Sequence, residues 1–234
     1  MKATLKLLLI LYICVSSGIT LAQEGIWYKA DVDFNERLIF SKDSISAERY
    51  KTYGVDTPYW ESNRALKISK TLIEDNSSYM VFDLPEGDKA GGVFTMIDNK
   101  YLIVHTPNEK YGTIDILKEL PGQQIPHRVY LSEQEVKNID SYKGIAELTK
   151  EDLVSAIKFV QSYDADFEKM LEKNPGLKSF SLSRMAQNLY HLKLYQLGYN
   201  PYDLPVEGNY LEQFEGDEDL KTLFENNTYF QLRF

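Results

Sequence analysis

Ser78 to Thr106, SYMVFDLPEGDKAGGVFTMIDNKYLIVHT, carries two of the clearest strand signals in this chain, with a tight turn between them. From Val93 the residues alternate, with Val93, Thr95 and Ile97 on one face and Phe94 and Met96 on the other. Asp98-Asn99 then supplies residues that tolerate positive φ, which a tight hairpin turn between Ile97 and Lys100 requires. Tyr101-Leu102-Ile103-Val104 returns as an apolar run too continuous for a strand wet on one side. Such a run predicts burial on both faces. The stretch reads as the centre of an antiparallel sheet.

The rest of the N-terminal half has the same character. Gly25 to Tyr28 predicts a first strand, and Arg37 to Phe40 and Ile45 to Ala47 flank a hairpin loop at Ser41 to Ser44. Tyr50 to Trp60 is irregular and rich in aromatics, with Gly54 and Pro58 as breakers. Ala65 to Ile73 predicts a strand turning through Glu74 to Ser77 into Tyr79 to Leu84. Pro85 to Gly92, with three glycines, reads as a flexible hairpin loop, and Tyr111 to Leu117 as the end of the β-rich part. Seven to nine short strands at this spacing suit a meander, a curled sheet or a small barrel.

Leu120 to His127, with Pro121, Gly122 and Pro126, marks the junction after which the hydrophobic period lengthens from two to about three and a half. Ser132-Glu133-Gln134-Glu135 has capping-box form and predicts a short helix to about Asp140. Thr149 caps a second start, followed by an apolar stripe through Leu153, Ile157, Val160, Phe167, Met170 and Leu171 to Asn174-Pro175-Gly176. A third helix fits Leu182 to Leu197 with Gly198 as its stop. Pro201 and Pro205 force an extended connection. Asp217-Glu218-Asp219 opens a last short helix, and Tyr229 to Phe234 reads as a strand or a docked tail.

Gly25-Ile26-Trp27 on a first strand resembles the opening motif of the lipocalin family. The likeness covers three residues, and the family's later motifs are not placed in this chain. It implies a ligand-holding barrel. A tryptophan capping the end of an apolar core accounts for the same residues.

Met1 to Ala22 has the form of a secretory signal: Lys2 and Lys6, an apolar run from Leu7 to Val15, and small residues before Gln23. The run is short for a membrane span, which needs about 20 residues. Its removal takes the only cysteine, Cys14, and moves the net charge from −9 to −11, because it carries two lysines and no acid. Export without cysteine predicts a periplasmic or extracellular protein whose mature part has no membrane span and no disulfide. So acidic a chain, with no basic run, lacks the electrostatic footprint of a nucleic-acid binder.

Catalytic and cofactor motifs are missing from the sequence. Gly-x-Ser-x-Gly, HExxH and CxxC do not occur, and Gly87, Gly91 and Gly92 form neither a P-loop nor a dinucleotide fingerprint. The three histidines, His105, His127 and His191, are not spaced as a helical metal pair. No cofactor or metal is therefore expected. Seventeen tyrosines are the positive signal, clustered at Tyr50 to Trp60 and Tyr195 to Tyr210. Tyrosine suits both a half-buried core rim and a binding surface.

These observations predict an α+β fold. Residues 23–120 form an antiparallel curled sheet or small barrel, and residues 121–234 are helical and pack on it as part of the same globular unit. The function they favour is a non-enzymatic exported binding protein. It recognises a protein or peptide, basic in character, through an acidic surface and aromatic loops, with Tyr53, Tyr59, Trp60, Tyr199, Tyr202 and Asp203 as contact residues. The alternatives are a small-molecule carrier with a cavity in the β region, and a carboxylate-dependent hydrolase using His105 or His127.

Overall fold

The computed structural model describes residues 24–74, 77–105, 125–173, 179–203 and 211–226. Its N-terminal part is an antiparallel barrel of eight strands, followed by helices, so the α+β expectation holds in its barrel form. In chain order the strands are β1 (Gly25–Lys29), β2 (Glu36–Ser41), β3 (Ser44–Lys51), β4 (Tyr59–Ser62) and β5 (Leu66–Glu74). β6 (Ser77–Asp83), β7 (Lys89–Ile97), β8 (Tyr101–His105) and β9 (Pro126–Ser132) follow. The order around the wall is β2-β1-β9-β8-β7-β6-β5-β3, closed by the β2–β3 hairpin. β4 stands outside this ring and, among the described residues, pairs with the second half of β3 alone. β3 joins β5 through just Ser44↔Lys67 and Ile45↔Leu66, so the wall parts there and β4 folds away as a flap.

The central hairpin is as its residues predict. Asp98 and Asn99 have φ of 53° and 55°, and the Lys100 N–H donates to the Ile97 carbonyl at 2.9 Å. Phe94 and Met96 point into the barrel, where they join Trp27, Phe40, Ile45, Met80, Phe82, Leu102 and Tyr130. Tyr101, Ile103, Val129 and Leu131 face outward and are equally buried, because a helix covers them.

Three local readings are corrected. Lys89 to Gly92 is strand and not loop: β7 pairs with β6 from Asp83↔Lys89 to Ser77↔Thr95. Gly92 is there for space, since a Cβ on it would lie 3.0 Å from the Phe94 ring. Pro126-His127 belongs to β9, which lies beyond the expected end of the β region and closes the barrel by pairing with both β8 and β1. The helical stripe after Thr149 is two helices, α2 (Lys150–Gln161) and α3 (Asp164–Lys173), after α1 (Glu133–Lys137). At the break Ser162 Oγ donates back to the Phe159 carbonyl at 2.7 Å. Tyr111 to Leu117, Pro205 and Tyr229 to Phe234 lie outside the described residues, as does Met1 to Ala22.

Ser132, Thr149 and Asp217 cap their helices as predicted, each accepting a backbone N–H three residues on. α4 (Ser179–Gln196) ends at Gly198, whose φ of 83° is easy for glycine alone, and α5 (Glu218–Glu225) follows. α4 is the central helix. Leu182, Met185, Ala186 and Leu189 join the helical core with α2, α3 and α5, while Leu192 and Tyr195 pack on the outer wall of the barrel. Tyr101 also donates its hydroxyl to the Tyr195 carbonyl at 3.1 Å, and Asn188 donates to the His127 carbonyl at 2.6 Å. Helix and barrel are thereby held in one register. Lys143–Gly144 (β10) and Tyr199–Asn200 (β11) add a short parallel pair beside them.

Candidate functional site

A strand's side chains alternate between the two faces of its sheet, so even positions on β2 and β9 and odd positions on β3 enter the barrel together. At the end away from the β2–β3 turn these positions are Glu36, Leu38, Ala47, Arg49, Arg128 and Tyr130. They surround a cavity of about 260 Å³, bordered also by Arg37, Glu48, Glu61 and Asn63. The other end is plugged by the aromatic and methionine cluster around Trp27, Phe40, Phe94 and Met96. The barrel therefore has one packed end and one polar mouth.

Most charges at the mouth are paired. Glu36 lies 2.6 Å from Arg49 and 3.1 Å from Lys29, Glu48 lies 2.6 Å from Arg37, and Glu61 lies 3.1 Å from Lys51. Burial opposes ionisation of Glu36, but hydrogen bonds from Arg49 and Lys29 outweigh it and hold the carboxyl below its ordinary range. Arg128 enters no ion pair among the described residues. Burial raises the pKa of the neighbouring Tyr130 phenol, against the pull of Arg128, so the phenol stays a neutral donor.

Arg128 also lines a second, smaller cleft of about 60 Å³ where α4 crosses the barrel rim. Its other walls are Lys29 and Ala30 at the end of β1, His127 and Val129 of β9, and Arg184 and Asn188 of α4. Arg184 and Asn188 are four apart and so share a helix face. Among the described residues no carboxylate lines this cleft, though Asp31 and Glu36 reach its Lys29 at 3.4 and 3.1 Å. Burial lowers the pKa of His127, and the two guanidiniums lower it further.

The other histidines are held structurally. His105 is 3% exposed, with Nε2 2.7 Å from Thr95 Oγ1, which is in turn 2.7 Å from Ser77 Oγ. This ladder crosses three strands and satisfies polar groups buried on the outer wall. Burial depresses His191 to a pKa of about 4, with its ring 5.0 Å from that of Tyr202. Among the described residues no group of three His, Cys, Asp or Glu side chains is placed to hold a metal ion, and no helix is long and apolar enough to cross a membrane.

The predicted contact residues separate into two kinds. Tyr53 is 97% exposed and Tyr59 48% exposed on the β3–β4 flap. Trp60, next along β4, lies under Arg37, whose guanidinium is 3.9 Å from the ring centroid. Tyr199, by contrast, is fully buried in the helical core. Its hydroxyl donates to Asp152 at 2.7 Å, and burial, then this carboxylate, push its pKa up to about 12. Tyr202 is partly buried and donates to the Ala30 carbonyl at 3.1 Å, which clamps the segment after α4 to the barrel rim. Asp203 is exposed, and its carbonyl accepts the Ile145 N–H at 3.3 Å. Tyr53, Tyr59 and Trp60 thus do not line the mouth, which the flap reaches through Glu61 and Asn63, and Tyr199 belongs to the core.

Sequence reasoning missed Arg49, Arg128 and Arg184. A signal for Arg128 existed, since Arg128, Tyr130 and Ser132 alternate with the apolar Val129 and Leu131. It is inverted relative to a simple barrel, with the apolar face outward against α4 and the polar face inward.

No protein-family model matches the chain, and neither a curated protein nor a solved structure does.

Proposed function

We propose that the chain is an exported, non-enzymatic binding protein that holds a small organic ligand at the open mouth of its barrel. The observation that carries this reading is the 260 Å³ cavity at one end of the barrel, where Arg128, in no ion pair among the described residues, stands beside Tyr130. Leu38, Ala47 and the Tyr130 ring offer apolar surface, while Arg128 and the Tyr130 hydroxyl offer donors. The favoured ligand has a compact apolar body and one anionic end, placed where it gains a charge-assisted hydrogen bond. The export part of the reading rests on the form of Met1 to Ala22. Gln23 as the first residue of the protein isolated from its source supports it, and an intact Met1 counts against it.

Titration with 1-anilinonaphthalene-8-sulfonate, an aromatic body of three rings with one anionic group, tests the mouth. A saturable site for one molecule is expected. Ala47→Trp, which fills the cavity, and Arg128→Gln, which removes the donor, should each weaken it about tenfold, the loss of one good charged interaction. Binding unchanged in both variants rejects the mouth as the site.

A second reading has its own observation. Tyr53 and Tyr59 are exposed aromatics on the β3–β4 flap, as a protein or peptide partner would need. Under that reading Tyr53→Ala and Tyr59→Ala abolish capture of a partner and leave the dye site intact.

A further inference from the structure

The geometry points to a second site, for a free tetrahedral oxyanion of the phosphate type, in the cleft between the barrel rim and α4. Arg128 borders it from β9 and Arg184 from α4, with Lys29 and His127 completing the wall and Asn188 beside them. Neither arginine is in an ion pair among the described residues. In a chain with 35 acids and 26 Lys and Arg, two arginines lining one small cleft run against the average surface. Like charges brought together repel, and an anion seated between them relieves the repulsion.

The shape agrees with the charge. About 60 Å³ holds a few waters or one small oxyanion, and is too small for the apolar body that the mouth admits. Guanidinium forks suit tetrahedral oxyanions because each presents parallel N–H donors. The walls are fixed in advance. Asn188 donates to the His127 carbonyl at 2.6 Å, Tyr202 holds the Ala30 carbonyl at 3.1 Å, and the Ala30 N–H donates to the Val129 carbonyl at 2.9 Å. Lys29 is held by Asp31 at 3.4 Å and Glu36 at 3.1 Å, so it adds a donor more than a free charge. Among the described residues, the charge outside ion pairs comes from Arg128 and Arg184.

The site is separable from the mouth because Arg184 lines the cleft alone, while Arg128 lines both. Inorganic phosphate is titrated calorimetrically into the full chain in a chloride buffer, with wild type, Arg184→Gln, Arg184→Lys and Ala47→Trp compared. Saturable binding of one phosphate is expected, weakened at least tenfold by Arg184→Gln, less by Arg184→Lys, and unchanged by Ala47→Trp. Sulfate should compete and chloride should not. No saturable heat, equal competition by chloride, or full binding by Arg184→Gln overturns the site. Arg184 is exposed, so its variants are expected to fold, and matching thermal melts check that. Absence of a saturable dye site in the wild-type chain, with phosphate binding intact, would sink the proposed function and leave this site standing.

Discussion

The guanidinium of Arg37 lies 3.9 Å from the ring centroid of Trp60 and is held in place by Glu48 at 2.6 Å. Arg37 and Glu48 are cross-strand partners on β2 and β3, and Trp60 is paired with Tyr50 on the flap strand β4. Tyr28 and Tyr50 also meet the Trp60 ring, at 5.9 and 5.1 Å. One side chain therefore fastens the flap to the outer barrel wall. The ion pair is only 16% and 13% exposed, so it is screened less than a surface pair.

Arg37→Ala should cost about 2 kcal/mol, combining a desolvated cation–π contact with the Glu48 carboxylate left without its partner. Arg37→Lys should recover only part of this, because an ammonium cannot stack flat on an indole while bonding a carboxylate. Urea unfolding gives both values. Limited proteolysis at Tyr53 to Tyr59 should speed up in the alanine variant, and an unchanged rate would show that the flap is fastened by other contacts.

Gly92 sets a packing prediction. Its absent Cβ leaves room for Phe94, which meets Phe40 at 5.3 Å and Phe82 at 6.0 Å edge to face. A Cβ would approach Phe94 to 3.0 Å, and the ring cannot retreat because Phe40 and Phe82 hold it on two sides. Gly92→Ala should therefore destabilise by about 1–2 kcal/mol despite the better strand propensity of alanine, and Gly92→Val by more. Thermal unfolding of the two variants measures this. A stabilised Gly92→Ala would mean that the aromatic plug repacks freely.

The hairpins were legible because their signals are local. Asp98-Asn99 and the alternation on either side determine a turn and two strands without reference to the rest of the chain. The barrel's closure was less legible, because it depends on β9 meeting β1 across about a hundred residues. β9 opens with Pro126-His127-Arg128 and runs straight into the Ser132 cap, so breaker and helix signals overlay its alternation. Gly91-Gly92 read as loop for a related reason: glycine serves flexibility and close packing alike, and only the facing rings tell which. The tyrosines divided for the same cause. Tyr53 and Tyr199 sit in similar local sequence, yet one is exposed and the other buried, because tyrosine's apolar body and polar tip suit either place. The cleft was illegible, since Arg128 and Arg184 converge only once α4 is laid across the barrel.

His191 supplies a pH prediction. Burial depresses its pKa from about 6.5 in the unfolded chain to about 4 in the folded one. Between these values the unfolded state binds a proton that the folded state refuses, so protonation favours unfolding. This residue's contribution is neutral above pH 6.5 and becomes destabilising as pH falls. It changes by about 1.4 kcal/mol per pH unit and levels off near pH 4 at about 3 kcal/mol. The carboxylates add their own acid sensitivity, so the comparison must be with a variant that lacks only this titration. His191→Gln is expected to lose some stability at pH 8, where the wild-type ring packs on Tyr202 without charge. Its stability should then fall less steeply than wild type from pH 6.5 to 4, so that the two curves converge. Parallel curves over that window would mean that the imidazole takes up its proton in the folded state near its ordinary pKa.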